Sequence, residues 1–182
     1  MFSILFLDSF FSVRFALSTK FLLLGFVFLS TFIVPSGFVF LLKWQGKIDS
    51  LELHNSEERK LPILLAAFSV LFCYYSLHTR TDLQLQYLIN PFLLSVTAVL
   101  VAAGLVNLIF KISLHGISMG GLAALFLVLQ GNAILDMRPL LAIWFLLAGL
   151  VGMARLYLKS HNVYQYYLGF FTGFTTIYII MQ

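Results

Sequence analysis

Two short stretches place ionisable side chains at the edges of long apolar runs. The first is KISLHG, with Lys111, Ser113 and His115, and the second is ARLYLKSHNVYQ, with Arg155, Lys159, His161 and Gln165. An imidazole with its ordinary pKa of ~6.5 works as acid, base or nucleophile near neutrality. The accompanying guanidinium and ammonium groups suit an anion. Each stretch stands where one helix passes into the next, and a helix N-terminus offers oriented N–H donors to an anion. His161 and Gln165 are four residues apart, which puts them on one side of a helix that starts early. An ionisable group near membrane depth costs ~2.5 kcal/mol or more at a helix centre, so each one needs a reason.

The elements that must position these groups are membrane helices. Of 182 residues, 61% are hydrophobic and 10% charged, against roughly 25% charged in a soluble domain, so lipid is the solvent that suits this surface. The fold class expected is all-α, an integral membrane bundle of about six transmembrane helices. A span needs about 20 mostly apolar residues, and six runs approach that length: 21–42, 61–77, 91–110, 116–134, 139–158 and 163–181. The whole chain, 1–182, reads as a single membrane domain. Residues 1–20, interrupted by Asp8, Arg14 and Lys20, read as an interfacial N-terminal helix and not as a cleaved signal. Residues 43–60 read as a polar loop.

With alternating spans, the first, third and fifth loops share one membrane face, so the two histidine stretches meet there. That face carries 7 basic residues against 4 on the other, a positive-inside count that favours the cytoplasm for it. The net charge of +4 is spread between apolar runs as flanking anchors, which argues against nucleic acid as a partner. Glycines recur at Gly116, Gly120, Gly121, Gly149, Gly152, Gly169 and Gly173, and small residues let backbones approach closely in lipid, so the last three helices should pack tightly. Cys73 lies inside an apolar run and reads as a small core residue. The four histidines, His54, His78, His115 and His161, lack metal-ligand spacing, and neither metal nor cofactor is expected.

Arg155, five intervening residues, then His161, in ARLYLKSH ahead of a glycine-containing helix (LGFFTG), resembles the third signature of the type 2 phosphatidic acid phosphatase superfamily. The Ser-x-His of ISLHG resembles the histidine half of that family's second signature. The resemblance covers the chain from Lys111 onward and identifies it as similar to a divergent bacterial member. It implies an integral membrane protein of the bacterial inner membrane acting on a lipid phosphate such as phosphatidic acid, an isoprenyl phosphate or a lipid A type phosphate. His161 would be the nucleophile that takes the phosphoryl group, forming a phosphohistidine. His115 would be the acid that protonates the leaving alcohol, with Arg155, Lys111 and Ser113 on the phosphate oxygens. Phosphoryl transfer asks for little beyond fixed positive donors around the equatorial oxygens.

The chain departs from the family in three places. Gln165 stands where an aspartate would orient the nucleophile, able to fix its tautomer while adding no charge. Ile112 and Leu114 replace a proline and a glycine of the second signature, and the first signature is missing upstream of it. Arg59 and Lys60 lie on the correct face as candidate replacement charges, although in SEERKLP they also read as a solvated cap before helix two. Arg138-Pro139 faces the other side, and Pro35-Ser36-Gly37 reads as a bend in helix one. The competing reading is a non-catalytic homologue that binds lipid or serves as a structural subunit of a membrane complex, and a homo-oligomer or other membrane partner stays open. A transporter has less support, because no repeat is evident. The resemblance to bacterial members implies a site facing the periplasm, against the basic-residue count.

Overall fold

The computed structural model describes residues 17–48, 56–79, 89–132 and 136–182. All regular structure among them is helical. The first span is built from α1 (Leu17–Phe28), a π-helical turn (Leu29–Ile33) and α2 (Val34–Trp44). There follow α3 (Ser56–His78), α4 (Ile89–Ile109), α5 (Leu114–Asn132), α6 (Arg138–Tyr157) and α7 (Val163–Met181). Five segments are long and apolar enough to cross a membrane: Phe21–Trp44, Glu57–His78, Ile89–Ile109, Leu114–Gly131 and Arg138–Tyr157. The protein is therefore an integral membrane helical bundle. α7 is as long as its neighbours, and tyrosine, threonine and glycine lower its hydropathy.

The six apolar runs coincide with helices, with two differences at their edges. Lys43 and Trp44 close α2, and Ser56 to Lys60 already form the first turns of α3, so the expected loop 43–60 is shorter than its polar composition implies. Glu57 and Glu58 suit a helix N-terminus, and Pro62 forfeits only the bond to the Glu58 carbonyl, so the helix starts before its proline. Of the expected interfacial helix over 1–20, residues 1–16 lie outside the described residues, and Leu17 onward belongs to α1.

Pro35 does not break the first span. The Val34 N–H reaches back five residues to the Leu29 carbonyl, and this wider turn sits just before a residue that has no N–H to give and whose ring crowds the preceding turn. Thr31 Oγ1 donates to the Val27 carbonyl at 2.7 Å, and the Ser69 hydroxyl of α3 donates to the Ser30 carbonyl, so the loosened segment is tied to the next helix. Beside it Leu23, Val70, Cys73, Leu77 and Leu93 form one buried cluster.

α5 and α7 run parallel and lie against each other with almost no side chain between them. A Cβ on Gly116 would meet the Tyr166 carbonyl at 2.6 Å, and one on Gly120 would strike the Phe170 carbonyl. From the other side, Cβ atoms on Gly169 and Gly173 would strike the Ser113 and Ile117 carbonyls. The Ser113 N–H donates to the Gln165 carbonyl at 3.2 Å, a backbone bond between the two helix starts. In lipid such close approach supplies association that hydrophobicity cannot. α6 joins this pair through Trp144 Nε1, which donates to the Met119 carbonyl at 3.0 Å, and through the Tyr166 hydroxyl, which donates to Ala148. Gly149 has open space above it, whereas a Cβ on Gly152 would meet the Tyr166 ring at 2.8 Å, so α6 packs tightly on α7 through a side chain while α5 and α7 meet backbone to backbone. Overpacking typically costs ~1–3 kcal/mol. Gly120→Val is therefore expected to lower the melting midpoint in detergent by several degrees, whereas Gly149→Val leaves it in place, as scanning fluorimetry of the two variants would show.

Candidate functional site

Because the spans alternate, the start of α3, the α4–α5 turn and the α6–α7 turn meet at one end of the bundle. Arg59, the fourth residue of α3, is buried at 5% exposure and its Nη1 donates to the Ile112 carbonyl at 3.0 Å. That bond stitches α3 to the segment just before α5. Ser113 is fully buried, and its hydroxyl accepts the Gly116 N–H at 3.2 Å, so it caps α5. The cap leaves His115 in the first turn, facing outward. Across from it, Arg155 in the last turn of α6 brings Nη2 to 2.7 Å from His115 Nε2.

The α6–α7 turn is shaped by Lys159, the one described non-glycine residue with positive φ, at +51°. The Lys159 and Ser160 N–H groups return to the Leu156 and Arg155 carbonyls at 3.0 and 3.2 Å. This closes α6 and turns the chain sharply, so that His161 comes back beside the end of the helix it has just left. α7 then opens on a capping box. Asn162 Oδ1 accepts the Gln165 N–H at 2.8 Å, and Gln165 Oε1 accepts the Asn162 N–H at 3.1 Å.

The capping box decides the chemistry of His161. A backbone N–H can only donate, so it is the oxygen of Gln165, not its nitrogen, that faces Asn162. The same oxygen lies 3.2 Å from His161 Nδ1 and must accept there, so Nδ1 carries the proton and Nε2 keeps its lone pair. At His115 the logic runs the other way. Guanidinium has donors only, so His115 Nε2 is an acceptor in its contact with Arg155, and its proton sits on Nδ1.

Burial pushes the His161 pKa down to about 4. The Gln165 hydrogen bond pulls it up, and the fields of Arg59, Lys111 and Arg155 depress it further. His161 is thus neutral at pH 7, and four residues from four different segments act on one ring. A group whose folded pKa is lowered below ~6.5 contributes stability that is complete above that value and is lost as pH falls toward 4. The wild-type melting midpoint should accordingly drop between pH 6.5 and 4.5. His161→Gln should flatten that slope, and Gln165→Glu, by bringing a carboxylate to Nδ1, should shift it to lower stability loss. Melting curves in detergent across this range are the check.

Among the residues singled out from sequence, Arg59, His115, Arg155, His161 and Gln165 stand together at this end, with Lys111 near enough to act on His161. Lys60 points away and pairs with Glu57 at 2.6 Å on the surface. Arg138, at the far end, lies 3.5 Å from Asp136. His78 stacks on Tyr74 at the end of α3, and His54 lies outside the described residues. Sequence reasoning passed over Asn162, although Asn-x-x-Gln ahead of an apolar run is a capping-box pattern. It also passed over the inward turn of Arg59, for which a charged cap gives no signal. Among the described residues no group of histidine, cysteine and carboxylate side chains is arranged to hold a metal ion.

A scan of the sequence against protein-family models finds no match, and searches of curated proteins and of solved structures find none either.

Proposed function

We propose that this bundle is a membrane phosphatase-like protein that hydrolyses a lipid phosphate at the bilayer boundary. The observation that carries the reading is the gathering of Arg155, His115, His161 and Arg59 at one end of the bundle, with Arg155 on His115 and the tautomer of His161 imposed by Gln165. A neutral imidazole presenting a bare Nε2 beside guanidinium donors is what an in-line attack on phosphorus requires. Nε2 of His161 forms the N–P bond while the P–O bond to the lipid alcohol breaks. Equatorial oxygens take over the Arg155 Nη2–H that now rests on His115. His115, released from Arg155 and protonated beside the dianionic phosphate, gives its proton to the departing alkoxide. Water then cleaves the phosphohistidine, returning inorganic phosphate and the free imidazole.

The second reading, a non-catalytic homologue that binds lipid phosphate or supports a membrane complex, is favoured by one specific contact. His115 Nε2 faces only a donor, which disfavours the imidazolium needed for acid catalysis, and Gln165 brings no negative charge to a phosphorylated His161. Purified protein in detergent micelles, offered phosphatidic acid, an isoprenyl phosphate and a lipid A type phosphate, distinguishes the two. Release of inorganic phosphate, with an acid-labile phosphoprotein trapped on rapid quenching, supports the enzyme. Tight binding without release, or a stoichiometric partner retained through mild solubilisation, supports the second reading.

A further inference from the structure

A cavity of about 450 Å³ lies directly beneath the polar cluster, walled by α2, α3, α4 and α5 with Ile177 of α7 at its side. Among the described residues its lining is apolar apart from two hydroxyls, Ser36 and Ser118, both on exposed residues. Its upper wall begins one helical turn below the charges. Pro62 follows Arg59 by three residues, Leu114 immediately precedes His115, and Ser118 follows His115 by three. The Ser118 hydroxyl already donates to the Leu114 carbonyl at 3.1 Å, so it offers little to a polar guest. A wet polar ligand would find almost nothing to bond in such a space, and empty apolar volume is filled by hydrocarbon more readily than by water. Side chains around it, such as Phe38, Phe40 and Leu64, are exposed in the manner of a lipid-facing surface.

We infer that this cavity is the seat of one hydrocarbon chain of a membrane lipid, drawn in sideways from the bilayer while its anionic headgroup rests among Arg59, His115, Arg155 and His161. The inference rests on the phosphate reading for the identity of the headgroup, and on the cavity alone for the chain. Charge complementarity at one end and apolar walls at the other select an anionic amphiphile over either a soluble phosphate ester or an uncharged lipid. Position along the slot then ties chain length to headgroup registry, because a chain seated in it cannot slide without moving the phosphate.

The test uses the full chain reconstituted in phosphatidylcholine vesicles containing spin-labelled phosphatidic acid or a diacylglycerol bearing the same chains. The wild type is expected to immobilise more phosphatidic acid than diacylglycerol. Ala66→Phe and Val96→Phe, which project into the cavity, should each cut the immobilised fraction at least fivefold, while Ala142→Phe on the outer surface of α6 leaves it unchanged. Undiminished immobilisation in either folded cavity variant overturns the slot. Equal immobilisation of the two lipids, lost in the cavity variants, upholds the slot and sinks the phosphate reading. A phosphatidic acid with a photoactivatable group along its chain adds a readout on the unmodified protein. Crosslinks to the Phe92–Ala103 stretch of α4 support the slot, and crosslinks confined to the outward surface of α6 overturn it.

Discussion

His161→Ala is expected to reduce phosphate release from a lipid phosphate by about 10³-fold or more, with no acid-labile phosphoprotein left to trap. Among the described nitrogens at this site, His161 Nε2 alone is both uncommitted and obliged by its neighbours to hold a lone pair. The Asn162 N–H fixes the orientation of the Gln165 amide, the amide oxygen fixes the Nδ1 proton, and burial among positive charges keeps the ring neutral. Alanine removes the proposed nucleophile without touching the capping box, which is closed by Asn162 and Gln165 themselves, so α7 should remain in place. Phosphate release by the alanine variant at the wild-type rate would remove His161 from the reaction. Retention of lipid binding in that variant would show that the anion site outlives the chemistry.

Arg155→Ala should cost about 10²–10³ in kcat/KM, the range found when one preorganised donor is lost from a site that stabilises developing negative charge. Arg155→Lys should recover only part of it, because an ammonium cannot present two parallel N–H groups to one phosphate. Kinetics on phosphatidic acid micelles, with Lys159→Ala as a neighbouring control, would measure it. Arg155 has a second effect with the opposite sign. Its 2.7 Å contact occupies His115 Nε2, so removing it should make His115 easier to protonate. An Arg155→Ala enzyme with wild-type kcat/KM would show that the guanidinium serves only to hold α6 against α5.

What the sequence disclosed, and what it hid, divides along the physics of lipid. Apolar run length located every described helix to within a few residues, because the bilayer sets that length regardless of tertiary structure. Glycine spacing pointed to tight packing among the last three helices, since only small residues permit it, but not to which pair would meet backbone to backbone. The lateral order of helices was not legible. A side chain facing hydrocarbon and one facing another helix have the same hydrophobicity, so no periodicity separates Phe68, 68% exposed, from Val70, 3% exposed, on α3. Arg59 was legible as a candidate charge on the right face, but its inward turn was not: a guanidinium in a run of charges ahead of a proline looks solvated, and only the carbonyl of Ile112, from a distant segment, turns it inward. The cavity had no sequence signature at all, being defined by what four helices leave unfilled.

The parallel setting of α5 and α7 has an electrostatic outcome. Each helix carries roughly half a positive elementary charge at its N-terminus, and here two such ends stand side by side with no acidic residue in either first turn. The helices that end at the same level, α2 and α6, carry Lys43 and Arg155 in their last turns, and Lys111 follows the end of α4, so their negative poles are already matched by the chain's own cations. The unmatched pole of the bundle at this level is positive and belongs to the macrodipoles of α5 and α7. An anion arriving from the membrane surface completes a charge pattern that the backbone leaves open.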